Sequence, residues 1–151
     1  MIRRYTVQDI PILLDHIGVF LSETEAFKDH LYDRDKMRML LISNVNNNRF
    51  FCNLSIDGSG NAIIGGLCAM VYEYTFSKQT FAADLLFYIP KDRRGLGAAT
   101  ELVDSYVAWA KQRGVKEARL ANSTGVRPES YAKLCERLGF SYLGPIYQMR
   151  F

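Results

Sequence analysis

Hydrophobic residues near the start of the chain recur at the spacing of amphipathic helices. After a short strand in the first five residues, Thr6 and Asp9 resemble a capping box in which Asp replaces Glu, so the first helix begins there. A second helix begins at Asp33 or Asp35 and ends at the asparagine run 46–48. The helix faces expected to be buried consist of Ile10, Leu13, Leu14, Ile17 and Leu21 in the first helix and Met37, Leu40, Leu41 and Val45 in the second.

The middle of the chain is rich in apolar and β-branched residues and predicts three strands. Residues 49–56 and 62–74 flank a turn-forming Asp-Gly-Ser-Gly-Asn segment, so they form a hairpin. The adjacent glycines Gly65 and Gly66 within the second strand indicate a bulge or a close approach of another backbone. The nearly continuous apolar run 81–89 is typical of a strand buried on both faces.

The last third of the chain alternates between helix and strand patterns. Helices are predicted over residues 97–113 and 128–139, with a strand over residues 117–122 between them. A final strand pair, 140–143 and 146–151, is predicted on the two sides of a Gly-Pro break.

Fold class follows from the order of these elements. The hairpin implies antiparallel pairing, whereas the strand–helix–strand unit between residues 81 and 122 implies a parallel crossover. A chain of 151 residues has the usual size of one domain. The predicted fold is therefore an α/β (α+β) single domain over residues 1–151, with a mixed, mostly antiparallel sheet of six to seven strands and about four helices.

Composition and charge add few constraints on function. The formal net charge of +3 is too small to mark a strong nucleic-acid binder. No apolar run approaches the roughly 18 residues that a membrane span needs, and no signal-peptide core follows the charged start. Cys52, Cys68 and Cys135 fit no zinc spacing, so we expect reduced thiols and no bound metal. We expect a soluble, cytoplasmic protein with no membrane partner. The sequence does not decide whether the protein forms a homodimer.

The segment from residue 88 to residue 99 runs from a buried strand through a glycine-bearing turn into a helix. The first N–H groups of such a helix lack partners and carry partial positive charge. Gly95 and Gly97 leave room for a ligand, and three basic residues between positions 91 and 94 add positive charge. The result is a cradle suited to a pyrophosphate. The segment lacks both the Gly-Lys-Ser/Thr of a Walker loop and the third glycine of the dinucleotide fingerprint.

Three segments in the same order resemble one protein family. Residues 94–99 match the Gln/Arg-x-x-Gly-x-Gly/Ala pattern of GNAT acyltransferases, and residues 2–11 resemble the usual start of these proteins. Residues 134–140 resemble their Leu-Tyr-Glu-Lys-Leu-Gly-Phe segment. Residues 122–126 are similar to GNAT proteins of phages and prophages. The resemblance implies a GNAT fold, acetyl-CoA (CoA) as cofactor and an amine as acceptor.

The resemblance also implies where the cofactor binds. The N–H groups of residues 94–99 would bind the CoA pyrophosphate, and the backbone around Tyr88 and Ile89 would pair with the pantetheine arm like an extra strand. The expected cofactor-binding residues are Tyr88, Ile89, Arg93, Arg94, Gly95, Leu96, Gly97, Ala98 and Ala99.

Acyl transfer to an amine needs a base that takes a proton and an acid that helps the thiolate leave. Asp84 is the only acidic residue in the apolar run, and burial raises the pKa of a carboxyl, so Asp84 is the expected general base. The alternative is a structural carboxylate paired with an arginine or a backbone N–H. By resemblance the general acid is often a tyrosine, at the position where this chain has Cys135. Cys135 acts either as that acid or as a core thiol, and the other polar candidates are Tyr131, Tyr142, Tyr147 and Ser123.

The sequence does not define the acceptor. The resemblance places the acceptor site at the segment between the first two helices and at the final strand pair. His30 of that segment is expected at a solvated surface. The acids of the segment, which either attract a cationic amine or are solvated, are Glu23, Glu25, Asp29, Asp33 and Asp35.

Three functions stay open from the sequence. The first is an N-acetyltransferase that moves an acetyl group from acetyl-CoA to a primary amine of a small molecule or peptide, by direct attack in a ternary complex. The second is a phage-type acyltransferase that modifies nucleic-acid bases. The third is a non-catalytic CoA-binding or interaction module.

Overall fold

The computed structural model describes residues 1–60, 62–95, 97–122, 124–125 and 127–151. These residues form a five-stranded sheet whose strands follow one another in chain order. Strands β1 to β4 pair antiparallel, and β5 pairs with β4 in parallel. The predicted mixed, mostly antiparallel sheet is therefore confirmed. The strands are β1 (Ile2–Arg4), β2 (Phe50–Ile56), β3 (Ile63–Glu73), β4 (Thr80–Tyr88) and β5 (Ala118–Arg119).

Four helices accompany the sheet, as predicted: α1 (Ile10–Glu23), α2 (Arg34–Asn44), α3 (Ala98–Gln112) and α4 (Pro128–Arg137). Successive side chains of a strand point to opposite faces, so β2 contributes to two cores. Phe50 and Leu54 pack with α1 and α2, whereas Phe51 packs with α3. In the described part of the chain, no helix has the length and apolar character needed to cross a membrane.

Asp9 joins β1 to α1. Its carboxylate accepts two hydrogen bonds from the Arg3 guanidinium, at 2.7 and 2.8 Å, and two more from the backbone N–H and hydroxyl of Thr6. The hydrogen bond from Arg3 is the main reason that the pKa of Asp9 falls to about 2, although burial acts in the opposite direction. The helix start predicted from Thr6 and Asp9 is confirmed, with a short 3-10 turn over Val7–Asp9 before α1.

The end of β4 lies close against β3 at Gly65. A Cβ atom on Gly65 would lie 3.0 Å from the carbonyl oxygen of Tyr88 and 3.2 Å from Cγ1 of Ile89. The close backbone approach predicted for the glycine pair is therefore confirmed. The predicted hairpin of β2 and β3 is also present, although Asn61 of its turn lies outside the described residues.

The three cysteines are free thiols, in agreement with the prediction. Cys52 and Cys68 are buried neighbours on β2 and β3, with their Sγ atoms 2.8 Å apart in the core beneath α1 and α2. Cys135 lies half-buried on α4.

β4 is not buried on both faces, contrary to the prediction from its apolar run. Most of its side chains are half-buried, and Leu85 is 42% exposed. Leu85 is the extra residue of a β-bulge, because Asp84 and Leu86 face consecutive residues of β3. β5 pairs with β4 at Ala82 and Ala83, and the N–H of Lys116 donates to the carbonyl oxygen of Thr80, so among the described residues the edge of β4 beyond Ala83 has no strand partner.

The predicted final strand pair is wrong, because residues 140–151 adopt neither strand nor helix. The described sheet therefore has five strands rather than six to seven, and β5 has two residues rather than the six expected over 117–122. An alternating segment becomes a strand only beside an edge that it can pair with, and a two-residue strand offers almost none. The large apolar side chains that stay exposed in this tail are Tyr142, Leu143, Ile146, Tyr147, Met149 and Phe151.

Candidate active site

A cleft opens where β4 and β5 diverge. The two strands pair through Ala82 with Ala118 and Ala83 with Arg119, and beyond these pairs lies a cavity of about 1110 Å³. Its lining comes from β4 and from parts of α1, α3 and α4. Ligand sites for small molecules and cofactors usually measure roughly 300–1,000 Å³, so this cleft can hold a large ligand.

The start of α3 forms a cationic part of the cleft. Gly95 and Gly97 have φ angles of +90° and +81°, in the left-handed region that favours glycine, and a Cβ atom on either would meet no atom within 4 Å. They turn the chain into α3, whose first N–H groups have no partners within the helix. Arg93 and Arg94 line the same part of the cleft, and Nε of Arg94 donates to the carbonyl oxygen of Ile89 at 3.0 Å.

Two further arginines reach the cleft from α4. Arg137 donates from Nη2 to the hydroxyl of Thr100 at 3.4 Å, and both residues line the cavity. Arg127 lines it from the position before α4, with φ 45° and ψ 57°. A left-handed conformation costs a non-glycine residue roughly 1–2 kcal/mol, and such strain clusters at functional sites.

Asp84 lies where β4 and β5 separate. Its Oδ1 atom accepts a hydrogen bond from the backbone N–H of Ala121 at 2.9 Å, just past the last backbone pair of the two strands. Burial raises the pKa of Asp84 to about 6, although the N–H of Ala121 and its own N–H lower it. A carboxyl group with this pKa is mostly ionised at neutral pH and is a stronger base than a solvated aspartate.

Tyr131 and Cys135 of α4 lie beside Asp84. The hydroxyl of Tyr131 lines the cleft side of α4, lies 3.4 Å from the carbonyl oxygen of Ala121, and hydrogen-bonds to the thiol of Cys135. Burial raises the pKa of Tyr131, and the negative charge of Asp84 raises it further. Burial also raises the pKa of Cys135, whereas the hydrogen bond from Tyr131 lowers it. The base and acid candidates are thus electrostatically coupled.

Aromatic side chains from α1 and the loop after it complete the cleft wall. Phe20 packs on the ring of Tyr88, with ring centroids 5.1 Å apart. In the loop, Phe27 and His30 meet edge to face at 5.6 Å. All four residues line the cavity.

The chain also matches a known family along most of its length. The family model of the acetyltransferase (GNAT) family matches residues 16–140, which include the whole of the cleft wall described above. The chain belongs to the acetyltransferase (GNAT) family. The resemblance inferred from residues 94–99 is therefore confirmed. No curated protein matches the chain in sequence.

Solved structures show the same GNAT fold. A predicted acetyltransferase with acetyl-CoA from Clostridium acetobutylicum has a TM-score of 0.77 at 19% identity, over 99% of this chain and 95% of that chain. An aminoglycoside acetyltransferase from an uncultured soil metagenomic sample, in complex with sisomicin, has a TM-score of 0.71 at 18% identity, over 100% and 96%. A ribosomal-protein-alanine N-acetyltransferase from Brucella melitensis biovar Abortus 2308 has a TM-score of 0.70 at 18% identity, over 100% and 99%. At these identities the likeness shows the fold alone.

Most of the cofactor-binding residues predicted for this GNAT domain line the cleft. Ala98 is instead buried in the core beneath α3, at 3% exposure, and Leu96 lies outside the described residues. The predicted residues that line the cleft are Tyr88, Ile89, Arg93, Arg94, Gly95, Gly97 and Ala99.

The predicted catalytic residues of the GNAT domain divide into two groups. Asp84 and Tyr131 line the cleft, and Cys135 contacts Tyr131. Tyr147 is 89% exposed and lies in the tail with Tyr142, away from the described cleft wall. Ser123 lies outside the described residues. In the part of the chain that the structure describes, no group of three or more His, Cys, Asp or Glu side chains is placed to hold a metal ion.

Sequence reasoning missed part of this GNAT cleft. Phe27 and His30 lie in an irregular loop, where no periodic pattern indicates which side chain points inward. For α4 a signal existed, because Ser130, Leu134 and Arg137 recur at helical spacing and all line the cavity. Ser130 and Arg137 are polar and lie on the same stripe as Leu134. This mixture indicates that the stripe borders a cleft rather than bulk solvent.

Proposed function

We propose that the protein is an acetyl-CoA-dependent N-acetyltransferase that acts on a primary amine of a small molecule or peptide, by direct attack in a ternary complex. One observation carries this proposal. A single cleft combines a carboxyl group whose pKa is about 6, Asp84, with a cationic helix start at Gly97. Membership of the acetyltransferase (GNAT) family supports the same reaction class.

The cationic part of the cleft fits the phosphates of CoA. The unpaired N–H groups at the start of α3 and the guanidinium groups of Arg93 and Arg137 suit a pyrophosphate and a further phosphate. The edge of β4 beyond Ala83 is left open by β5, so its backbone groups are free to pair with the amides of a pantetheine arm as an added strand would. When bound, acetyl-CoA supplies an acetyl group activated as a thioester.

Asp84 is the proposed general base. With a pKa of about 6, it is ionised roughly ten times more often than protonated at pH 7. It takes a proton from the amine nitrogen as that nitrogen forms a bond to the acetyl carbon. Its hydrogen bond from the N–H of Ala121 fixes Oδ1 and so orients the carboxyl group for this role.

Tyr131 is the proposed general acid, with Cys135 holding its hydroxyl. When the C–S bond breaks, the hydroxyl of Tyr131 donates a proton to the leaving sulfur, which departs as a thiol. The negative charge of Asp84 is one cause of the raised pKa of Tyr131. Protonation of Asp84 removes that charge, so Tyr131 becomes a better acid at the stage when the sulfur leaves.

Calorimetry and a CoA-release assay test the proposal together. We expect the purified protein to bind acetyl-CoA and CoA, and to release CoA only when acetyl-CoA and an amine are both present. Lack of affinity for either form of the coenzyme would contradict the proposal at its first step. Affinity without amine-dependent release would favour a non-catalytic CoA-binding module, and an oligonucleotide in the acceptor panel tests the base-modifying alternative.

A further inference from the structure

The aromatic part of the cleft wall offers contacts to an apolar acceptor. Phe20 is held against Tyr88, and Phe27 is held edge to face against His30. Phe27 is only half-buried and His30 is exposed, so their surfaces are available to a ligand. Aromatic side chains bind apolar groups through large buried areas and through specific ring geometries.

Two acidic side chains of the same loop, Glu25 and Asp29, form ion pairs at the surface. Lys28 pairs with Glu25, and Nη1 of Arg150 lies 3.4 Å from Oδ2 of Asp29. Nη2 of Arg150 also donates to the carbonyl oxygens of Glu25 and Ala26, at 3.3 and 3.0 Å. The guanidinium group of Arg150 therefore partly neutralises the negative charge of the loop and links the tail to it.

The two acids at the start of α2 are engaged as well. Asp33 caps the helix by accepting a hydrogen bond from the N–H of Lys36 at 2.9 Å. Asp35 pairs with Arg38 at 3.8 Å. Four of the five acids of this segment thus have other partners at the surface, and none of the five is among the described residues that line the cavity, although burial and the charge of the fifth, Glu23, raise the pKa of Tyr88 on the cleft wall.

The formal charge of the described cleft wall is positive. Its acidic residues are Asp84 and Glu101, against four arginines: Arg93, Arg94, Arg127 and Arg137. CoA phosphates can balance these arginines, but they add no carboxylate near Phe27. Apart from Asp84, the only carboxylate among the described lining residues is Glu101 on α3, so an acceptor with several ammonium groups meets more positive than negative charge there.

We propose that the acceptor is a primary amine carried on an aromatic or branched aliphatic body with no second positive charge, and that Phe27 and His30 recognise this body. The inference rests on the proposed function, since it names the substrate class of the same site. The tail residue Arg150 supports it by holding the loop that carries Phe27.

A panel of amines tests this selectivity. Phenethylamine and isopentylamine represent the proposed class, and spermidine and sisomicin represent polycations. At saturating acetyl-CoA, we expect kcat/KM for CoA release to be at least tenfold higher with the two monoamines. Equal or higher values with spermidine or sisomicin would overturn this inference and leave the proposed function standing. If no amine causes CoA release, both proposals fail.

Three variants test whether Phe27 contacts the apolar body of the acceptor. We expect Phe27→Ala to raise KM for phenethylamine about tenfold, with the Kd for acetyl-CoA unchanged, and Phe27→Leu to restore most of the loss. Leu31→Ala is the matched control, because Leu31 lies in the same loop, is 99% exposed and is not part of the cleft wall. Equal effects of Phe27→Ala and Leu31→Ala would contradict the proposed contact.

His30→Asp reverses the argument about charge. It places a carboxylate on the cleft wall, so we expect the ratio of kcat/KM for spermidine to that for phenethylamine to rise about tenfold. An unchanged ratio in a variant that still binds acetyl-CoA would show that His30 does not face the acceptor.

Discussion

At the scale of single residues, the proposed chemistry depends on the pKa of Asp84, which burial raises. Its carboxyl is partly buried where β4 and β5 separate, with an N–H donor from Ala121, and burial raises its pKa to about 6. Because a general base works only when deprotonated, we expect kcat at saturating amine to fall about tenfold per pH unit below pH 6 as Asp84 becomes protonated. A pH profile of CoA release checks this.

Asp84→Asn removes the base while keeping the shape of the side chain. We expect kcat to fall roughly a hundredfold, the usual size of a general-base contribution, and the limb near pH 6 to disappear. Asp104→Asn is the matched control, because Asp104 lies exposed on α3 outside the cleft wall. Full activity of Asp84→Asn would rule out the base role and support a structural carboxylate.

Tyr131→Phe separates the two acid candidates. Phenylalanine keeps the ring that lies 6.3 Å from that of Phe87 but loses the hydroxyl, so we expect kcat to fall at least tenfold with little change in KM. Cys135→Ala should cost less, since the thiol only holds the hydroxyl. The opposite ranking in CoA-release rates would assign the acid to Cys135.

At the scale of secondary-structure elements, Asp9 stabilises the join of β1 to α1. Its pKa is lowered from 3.8 to about 2, so its ionised form contributes about 2 kcal/mol to folding stability above pH 4. That contribution is lost as the pH falls through 2. We expect Asp9→Asn to lower the unfolding free energy at pH 7 by about this amount in urea titrations.

The control for Asp9→Asn is Asp35→Asn, which removes one partner of an ion pair on the surface. Asp35 is 88% exposed at its side chain and lies 3.8 Å from Arg38, so Asp35→Asn should change stability by less than about 1 kcal/mol. Equal effects of the two substitutions would show that the network around Asp9 adds nothing beyond a surface ion pair.

Gly65 determines how closely β3 and the end of β4 approach. Alanine there would place a Cβ atom 3.0 Å from the backbone oxygen of Tyr88, which cannot move without moving the strand. We expect Gly65→Ala to destabilise the fold by roughly 1–3 kcal/mol and to weaken acetyl-CoA binding, because the same strand end lines the cleft. Urea titration and calorimetry measure the two effects.

Gly66→Ala provides the comparison for this steric argument. Its added Cβ atom would meet the end of the Leu54 side chain at 3.3 Å, which can shift by a few tenths of an ångström. It should therefore destabilise less than Gly65→Ala. If the two variants lose the same stability, contact with the carbonyl oxygen of Tyr88 is not the reason that position 65 needs glycine.

At the scale of the whole molecule, regular periodicity explains what the sequence could predict. Helical spacing predicted most of the buried face of α1: Ile10, Leu13, Leu14 and Ile17 are buried, whereas Phe20 rather than Leu21 completes that face. Residues 140–151 have a strand-like pattern but no strand, because pairing depends on a partner edge elsewhere in the chain. The glycine-bearing turn before α3 was predictable from its local sequence, whereas the positions of Phe27 and Arg127 on the cleft wall depend on long-range packing.

The cleft brings together α3, α4 and the end of β4, so a ligand that binds all three should stabilise the whole fold. At a concentration of acetyl-CoA one hundred times its Kd, linkage gives about 2.7 kcal/mol. For a chain of this size, that corresponds to a rise in Tm of roughly 5–10 °C.

Arg137→Ala should weaken binding roughly tenfold, since a hydrogen bond to a charged group contributes about 1.5–3 kcal/mol. Arg113→Ala, at the exposed far end of α3, should leave both Tm shift and Kd unchanged, and equal losses in the two variants would point to nonspecific attraction by positive charge.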